Sequence, residues 1–461
     1  MKADVLVAEI GSTTTVVNAF TGIKSGDPLF WGQGQAPTSV LDGDVRVGLN
    51  GAIEDLCRNK GIDSLEYDEM LATSSAAGGL AMTVHGLVWD MTSRVAREAA
   101  LGAGAIVHQV TAGKLRNRDI ERIREVAPKL ILLAGGVDGG EKDTVIYNAM
   151  QLAGSGVKTP VIYGGNAEAA EEVKKILSDR DVYVVENVFP EIGKLNIEPC
   201  REIIQDAYEE HITNAPGMEH VRDLVNGPII PTPGAVMECT RLLNSCIGNV
   251  MVLDCGGATT DVHSVTEDSE EMKKLIQNPE PKAKRTVEGD LGVYVNRYNV
   301  IDSIGRKRLR EDLPGVDIEA VLDSYEAIPK TEDEFKLVER LALECVIKAV
   351  ERHAGTVRYL EGKSGTLTIA EGKDLTQVEY IVGTGGAMTR LPHRVEIMRK
   401  IPEYNRRGLR MFPDEEVKIL VDNDYIMASL GVLSREYRDA AVKLLEKSLH
   451  FPLTGDQGEK K

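Results

Sequence analysis

A sixteen-residue pattern of apolar residues, glycines, threonines and carboxylates occurs twice in this chain, 245 positions apart. Residues 250–265 read VMVLDCGGATTDVHSV, and residues 5–20 read VLVAEIGSTTTVVNAF. The two segments align without gaps and share six of sixteen residues, with Glu9 of the first falling on Asp254 of the second. Self-similarity at about half the chain length predicts two similar halves.

Each copy predicts a β-hairpin. An apolar run ends in a carboxylate, and glycines and threonines then lead into a second run that can return as a paired strand. Gly256 and Gly257 would allow a phosphate to approach the backbone and its N–H groups closely. The pattern G-x-x-x-x-G-K-[ST] does not occur, so the predicted phosphate loop is not a Walker loop.

We expect the two hairpins to bind a nucleoside triphosphate from opposite sides. Phosphoryl transfer needs positioning and charge neutralisation more than covalent participation, and glycine turns with hydroxyl neighbours supply such donors. A third glycine turn, GTGG at 383–386, would let adenine and ribose lie against the backbone. The candidate nucleotide-binding residues are Gly11, Ser12, Thr13, Thr14, Gly256, Gly257, Ala258, Thr259, Gly383, Thr384, Gly385 and Gly386.

Four carboxylates are candidates for chemistry, and a fifth for metal binding. Asp254, with Glu9 opposite, is expected to hold Mg²⁺ through waters, because this ion keeps part of its hydration shell. Asp254 and Asp261 are placed to hold the metal or to orient a water. Glu288 and Asp290 flank a glycine; they could orient the attacking water or respond to the nucleotide, or the turn could be a loop cap.

The charge balance excludes some partners. The 461 residues carry 72 acidic and 54 basic side chains, a formal charge of −18. Such a surface repels nucleic acids and anionic membranes, so neither is expected as a main partner. Six cysteines without regular spacing predict reduced thiols. With no signal peptide and no apolar run of ~18 residues, a soluble cytoplasmic protein is expected.

The chain divides into four predicted segments. The first begins with a three-strand meander over 4–37 and a helix from Asp44 to Lys60. Strands alternating with helices beyond Pro128 indicate an inserted or appended α/β module with a parallel sheet. The segments are 1–128, the module 129–195, a helical connector 196–248, and a second half 249–461.

Three further features lead to expectations about structure. The run LILLAGG at 130–136 resembles YIVGTGG at 380–386 at an offset of 250, so we expect these strands to be equivalent. An alanine-rich segment, 92–105, is expected to be helical. The basic cluster 306–310 is interpreted as a solvated helical face.

The motifs at 9–15, 254–261 and 383–386 resemble the phosphate-one, phosphate-two and adenosine motifs of the actin, hexokinase and chaperone ATPase superfamily. This resemblance implies an α/β fold of two ribonuclease-H-like, actin-like halves around a nucleotide cleft, with the α/β module added to the first half. Glu9 stands where the superfamily has aspartate, and its longer side chain would shift the metal or support a slower ATPase.

The segments TSSAAGG (73–79), LAGGVDGG (133–140) and RTVEGDLG (285–292) resemble one branch more closely. This branch is the glutamate mutase accessory protein family, called MutL and unrelated to the mismatch-repair protein of that name. The resemblance runs from Asp4 to about Lys447. It implies an ATP- and Mg²⁺-dependent reactivating factor that exchanges damaged cobalamin on an adenosylcobalamin-dependent mutase or aminomutase.

Several alternatives stay open. The partner could be glutamate mutase or an ornithine or lysine aminomutase, and a homo-oligomer is possible. A small-molecule kinase of the same fold would need a base over a substrate hydroxyl. An activator of a 2-hydroxyacyl-CoA dehydratase would bind an iron–sulfur cluster and would recruit Cys239 and Cys246. A nucleotide-gated scaffold would bind ATP without turnover.

Overall fold

The computed structural model describes the chain except for residues 1, 12–13, 41–42, 76–79, 90–95, 97–104, 193, 195, 214–216, 219, 277–279, 326–327, 363–364, 406–407 and 454–461. The chain forms two compact units, Met1–Ala235 and Val236–Lys461. Each unit contains a five-stranded mixed sheet, and the first also contains a five-stranded parallel sheet. The helix expected over 92–105 lies almost entirely outside the described residues.

The first unit alternates strands and helices. Its strands are β1 (Lys2–Ile10), β2 (Thr14–Thr21), β3 (Leu29–Pro37), β4 (Glu66–Ser74), β5 (Leu80–Gly86), β6 (Ala105–Ala112), β7 (Leu130–Leu133), β8 (Val161–Tyr163), β9 (Val182–Val184) and β10 (Ile230–Pro231). Its helices are α1 (Val45–Lys60), α2 (Asn117–Val126), α3 (Asp143–Gly154), α4 (Ala170–Ile176) and α5 (Glu198–Thr213), with 3-10 turns at Ala167–Ala169 and Val221–Asp223. Helix α6 (Thr232–Ile247) spans the boundary between the units.

The mixed sheet of the first unit has the order β10-β4-β1-β2-β3. Strands β1, β2 and β3 form an antiparallel meander, and β4 and β10 extend the sheet in parallel with β1. Helix α1 packs against β2 and β3; it begins after the N-cap Asp44 and ends at Gly61, whose φ of 66° suits glycine. The expected meander and helix are confirmed. The two-residue strand β10 lies in the segment expected to be a helical connector.

The second sheet of this unit is entirely parallel, in the order β6-β5-β7-β8-β9. Its strands β7 and β8 are fully buried apolar runs, as parallel strands covered by helices require, whereas the edge strand β9 is partly exposed. The alternation expected beyond Pro128 is confirmed. Because β5 and β6 belong to the same sheet, the sheet begins at Leu80 and the expected boundary at 128/129 falls inside it.

The second unit contains β11 (Val250–Cys255), β12 (Thr260–Val265), β13 (Ala283–Glu288), β14 (Thr356–Gly362), β15 (Gly365–Glu371), β16 (Tyr380–Thr384) and β17 (Lys418–Val421). Its helices are α7 (Met272–Leu275), α8 (Arg297–Ile304), α9 (Arg306–Asp312), α10 (Ile318–Ser324), α11 (Glu332–His353), α12 (Gly385–Arg390), α13 (Arg394–Arg399), α14 (Met427–Leu433) and α15 (Arg438–Leu449), with a 3-10 turn at Pro402–Tyr404. The basic cluster forms α9, where Leu309 is buried and the arginines are exposed, which confirms the solvated face.

The mixed sheet of the second unit repeats the first strand for strand. Its order is β13-β12-β11-β16-β17, with the same antiparallel meander and the same two parallel additions. The register is also repeated, since Glu9 lies opposite Val16 and Asp254 lies opposite Asp261. The predicted duplication is therefore confirmed, and the fold class is α/β with two ribonuclease-H-like halves and an additional α/β segment in the first.

One expected equivalence is wrong. Strand β16 pairs with β11 as β4 pairs with β1, so that Thr384 lies opposite Asp254 and Thr73 lies opposite Glu9. Strand β7, which carries LILLAGG, lies instead in the parallel sheet. A buried parallel strand that ends in a tight turn has the same apolar-then-glycine pattern wherever it occurs, and this explains the misleading similarity.

Candidate functional site

The tip of the second hairpin presents backbone donors. Gly256 N donates to Thr259 O at 2.9 Å, which closes a two-residue turn at Gly257 and Ala258. Both tip residues are exposed, and within the described part of the chain no protein acceptor takes their amide hydrogens. The tip therefore retains two N–H groups for an anion.

The segment after β13 satisfies the tip's carbonyl groups. Gly257 O accepts from the backbone N–H groups of Tyr294 and Val295 at 2.9 and 2.7 Å, and Asn296 Nδ2 donates to Ala258 O at 2.6 Å. Gly292 packs so closely that a Cβ there would overlap the Ala258 carbonyl. Because the carbonyl oxygens are taken, the exposed polar groups of the tip are donors.

The glycines of the two hairpins are explained by different local structure. A Cβ on Gly256 or Gly257 would meet no atom nearer than 3.5 Å, and neither residue has a left-handed φ. Their own structure therefore does not require glycine, whereas a closely approaching ligand would. At Gly11 a Cβ would stand 2.7 Å from Thr14 O, so the first turn itself requires glycine.

The first hairpin has the equivalent hydrogen bond, with Gly11 N donating to Thr14 O at 3.0 Å. Thr38, the residue after β3, donates a hydrogen bond from Oγ1 to Gly11 O at 2.8 Å and so stabilises the turn. Thr14 is exposed beside it. The two predicted tip residues, Ser12 and Thr13, lie outside the described residues.

Asp254 and Asp261 are directly opposite on β11 and β12, so their side chains lie on the same face of the sheet. Asp254 is half-buried and Asp261 is 4% exposed. Glu9 has the position of Asp254 in the first half and accepts a hydrogen bond from Asn18 Nδ2 at 3.2 Å. Carboxylate oxygens of this kind suit Mg²⁺, which needs only one or two protein ligands besides water.

Asp261 is paired with an arginine that the sequence did not single out. Arg285 Nε and Nη2 donate to Asp261 Oδ2 at 3.2 and 3.0 Å. Burial raises the pKa of Asp261, and the Arg285 charge opposes that rise. The other oxygen, Oδ1, is buried without a hydrogen-bond partner among the described residues. The sequence offers one signal for this pair: a third strand of a meander would lie beside β12, and this strand carries a basic residue.

Glu288 and Asp290 are held by Arg352 at the end of α11. Arg352 Nη1 donates to Glu288 Oε2 and Asp290 Oδ1, both at 2.6 Å, and Nη2 donates to Asp290 Oδ2 at 2.9 Å. The hydrogen bonds from Arg352 lower the pKa of Asp290, which makes this carboxylate a weaker base. We call these three residues the ionic clasp. That Glu288 or Asp290 orients the attacking water stays a prediction.

The third glycine turn lies at the end of β16, next to Asp254. Thr384 Oγ1 donates to Asp422 Oδ2 at 3.0 Å, and Asp422 is a fully buried residue that the sequence did not single out. Gly385 has a φ of 79° and packs against Asp254, whereas a Cβ on Gly386 would meet nothing within 4 Å. A Cβ on Gly383 would stand 2.8 Å from Met398, so that glycine is required by packing.

The structure thus groups the predicted residues by unit. In the second unit the hairpin tip, the Asp254–Asp261 pair and the glycine turn are joined by strand pairing and close packing. In the first unit Glu9, Gly11 and Thr14 cluster at the end of the first hairpin. Asp290 of the ionic clasp lies two residues before Gly292, which packs on the hairpin tip.

The cysteines proposed for an iron–sulfur cluster lie on α6. Cys239 is fully buried, and burial raises its pKa well above the usual value, which disfavours the thiolate that a cluster needs. Cys246 is seven positions further along and half-buried.

Across the residues that the structure covers, no helix is both long and apolar enough to cross a membrane.

Comparisons with known proteins identify relatives along most of the chain. The family model described as MutL protein matches residues 5–449. Protein MutL of Clostridium tetanomorphum is 36% identical over 427 residues, which cover 89% of this chain and 92% of that protein.

Among solved structures, a nucleotide-free acetone carboxylase is 13% identical with a TM-score of 0.42 and covers 94% of this chain and 70% of that chain. A nucleotide-free diol dehydratase-reactivating factor is 10% identical with a TM-score of 0.38 and covers 95% of this chain and 100% of that chain. The family match and the curated relative establish the family: this chain belongs to the MutL family.

Proposed function

We propose that the chain binds ATP with Mg²⁺ and hydrolyses it to reactivate an adenosylcobalamin-dependent mutase or aminomutase. The observation that carries the nucleotide site is the second hairpin tip. It presents two backbone N–H groups that have no protein acceptor among the described residues, close to the opposed carboxylates Asp254 and Asp261. Donors for phosphate oxygens and ligands for a hydrated cation are thus held on one hairpin.

Different residues around the tip would bind the phosphates, the Mg²⁺ and the adenosine. The amides of Gly257 and Ala258, with the Thr259 hydroxyl, would bind phosphate oxygens, and the first hairpin would contribute Gly11, Ser12, Thr13 and Thr14. Asp254 and Glu9 would hold Mg²⁺ through waters, and the ion would neutralise charge on the phosphates. The open space at Gly386 supports adenosine binding along 383–386.

Asp261 is the best-placed group to orient the attacking water. It lies opposite Asp254 and keeps one buried oxygen without a protein partner among the described residues. A water held there would be fixed relative to the metal ligand across the strand pair. Orientation of this kind lowers the entropic cost of reaching the transition state.

The mutase partner is supported by membership in the MutL family and by the resemblance of its motifs to the accessory proteins of glutamate mutase. Exchange of damaged cobalamin would require the bound nucleotide to hold one conformation and hydrolysis to release it. Glutamate mutase and the ornithine and lysine aminomutases are the candidate partners.

The test is a reactivation assay. Each candidate mutase is blocked with hydroxocobalamin and incubated with the full chain, ATP, Mg²⁺ and fresh adenosylcobalamin. We expect recovery of activity with one mutase, dependent on ATP and lost with Asp254→Ala. The exposed carboxylate change Glu121→Gln on α2 should keep full recovery. Lack of recovery with every candidate, although the chain hydrolyses ATP, would overturn the partner and leave the nucleotide site standing.

A further inference from the structure

The duplicated sheets allow Arg285, which contacts Asp261, to be compared with the residue at the equivalent position of the first half. Position 261 of the second half corresponds to Val16 of the first, because both lie opposite the first carboxylate in an identical register. Two positions later, His263 pairs with Arg285 in the second half, and Asn18 pairs with Gln33 in the first. The half that has the second carboxylate is therefore the half that has the arginine.

The contact between the two side chains is one-sided. Arg285 Nε and Nη2 both donate to Asp261 Oδ2, and each of the two side chains is only 6% exposed. A charge buried to this degree is strongly unfavourable without a partner of opposite sign. The arginine therefore compensates the carboxylate's charge through one oxygen and leaves Oδ1 without a protein hydrogen bond among the described residues.

The strand that carries Arg285 is held at its C-terminal end. Its C-terminal residue, Glu288, is held by Arg352, and Gly292 packs against the hairpin tip. Next to Arg285 across the strand pair lies His263, which is fully buried, and burial lowers its pKa, so this neighbour is neutral. Strand pairing therefore holds Arg285 opposite His263, on the diagonal from Asp261.

We propose that Arg285 is a positioning residue, which holds the Asp261 carboxylate through Oδ2 and turns it so that its Oδ1 holds the water that attacks the terminal phosphate. The inference rests on the proposed ATP hydrolysis and adds a residue that acts through Asp261. Arg285 lies on β13 with its side chain buried and away from the hairpin tip, so its loss should affect turnover much more than nucleotide affinity.

The test uses the full chain with Arg285→Gln, which introduces the first half's residue, together with Arg285→Lys and Arg285→Ala. Phosphate release and ADP affinity are measured for each. We expect Arg285→Gln to lower kcat about 100-fold with ADP affinity within about threefold, since a misplaced reacting group costs this much. Arg285→Lys should recover part of kcat because it restores the charge. Added guanidinium ion should raise the turnover of Arg285→Ala but not of the wild type.

The matched control is Arg340→Gln, which removes another largely buried arginine, paired with Asp312 and Glu344 on α11. It should lower the melting temperature without changing kcat. An Arg285→Gln protein that turns over like the wild type would overturn the inference, as would a loss of kcat that only follows the folded fraction measured by ADP binding. A wild type without ATP hydrolysis would instead overturn the proposed function itself, and this inference with it.

Discussion

Gly385 lies directly against Asp254, so closely that a Cβ on the glycine would overlap Asp254 Oδ1. Its φ of 79° also lies in the left-handed region that favours glycine. The next residue, Gly386, has neither constraint and faces open space. Two adjacent glycines of one motif therefore have different roles: the first joins the turn to the carboxylate, and the second keeps a surface clear.

This difference predicts opposite results for two alanine variants. Gly385→Ala should lower the melting temperature and also impair ADP binding, because the turn must move away from Asp254. Gly386→Ala should melt like the wild type but bind ADP at least about tenfold more weakly, because its methyl group occupies the space predicted for adenosine. Calorimetric melting and ADP titration measure both effects. Unchanged ADP affinity in a folded Gly386→Ala protein would remove the turn from the nucleotide site.

The carboxylate pair predicts a separation of binding from turnover. Asp254→Ala and Asp261→Asn should keep ADP binding and lose ATP hydrolysis by roughly a thousandfold or more, since they remove charge and orientation needed in the transition state. Phosphate release at saturating ATP and Mg²⁺ measures the effect. Turnover at the wild-type level would exclude these residues from the mechanism. A wild type that binds ATP without releasing phosphate would favour the nucleotide-gated scaffold.

The ionic clasp predicts a salt-dependent stability effect. Arg352→Gln leaves Glu288 and Asp290 without their shared cation and should cost roughly 1 kcal/mol, because the arginine is partly exposed. The cost should shrink in high salt as screening increases. Because the pKa of Asp290 is lowered, this contribution is present above the usual carboxyl pKa and is lost as pH falls through the lowered value.

Urea unfolding at two salt concentrations measures the clasp. The control is Arg308→Gln on α9, an exposed arginine that should change stability little at either concentration. Equal stability of Arg352→Gln and the wild type at low salt would show that the clasp contributes nothing to the fold. Weaker ADP binding by Arg352→Gln would indicate that the clasp helps to hold the hairpin tip through Gly292.

A buried histidine predicts acid sensitivity of the parallel sheet. His85 on β5 is fully buried, with ring nitrogens 2.8 and 3.0 Å from the hydroxyls of Thr111 and Thr83, and burial lowers its pKa to about 4. The unfolded chain binds a proton near pH 6.5 that the folded chain does not bind. Stability is therefore full above about pH 6.5 and falls by up to roughly 3 kcal/mol as the pH drops to about 4.

Urea unfolding of the first unit between pH 7.5 and pH 5 measures this effect. His85→Gln should flatten the pH dependence relative to the wild type, because glutamine does not titrate. His108→Gln, which changes an exposed histidine on β6, should follow the wild-type curve. If His85→Gln and the wild type lose equal stability over this range, the acid sensitivity comes from other groups.

The dehydratase-activator alternative predicts bound iron. If Cys239 and Cys246 are ordinary thiols, the purified protein should be colourless and free of iron, as the burial of Cys239 favours. Metal analysis of anaerobically purified protein measures this directly. Stoichiometric iron with visible absorbance would support the activator.

Local patterns predicted most of the first-order features. The repeated hairpin, the paired positions of Glu9 and Asp254, and α1 follow from alternation, glycine turns and an Asp N-cap, all of which act over a few residues. The parallel sheet's extension to β5 and the closing strand β10 depend on pairing between segments more than 40 residues apart, which local periodicity does not encode. The same holds for Arg285, Arg352 and Asp422, whose partners are set by register and helix packing.

The first mixed sheet has one more consequence. Its chain departs after β4 and comes back at β10, where Ile230 is hydrogen-bonded alongside Thr73. Some 150 intervening residues thus leave and re-enter the sheet at neighbouring positions, and some of them, such as Met82 and Leu132, share a hydrophobic core with β1 and α1. Because β10 lies at the edge of the sheet, a change in the length of this segment outside the shared core leaves the pairing of β1 with β2 intact. Insertions and deletions are therefore expected in the segment between β4 and β10 more than in the strand pairs that support the first hairpin.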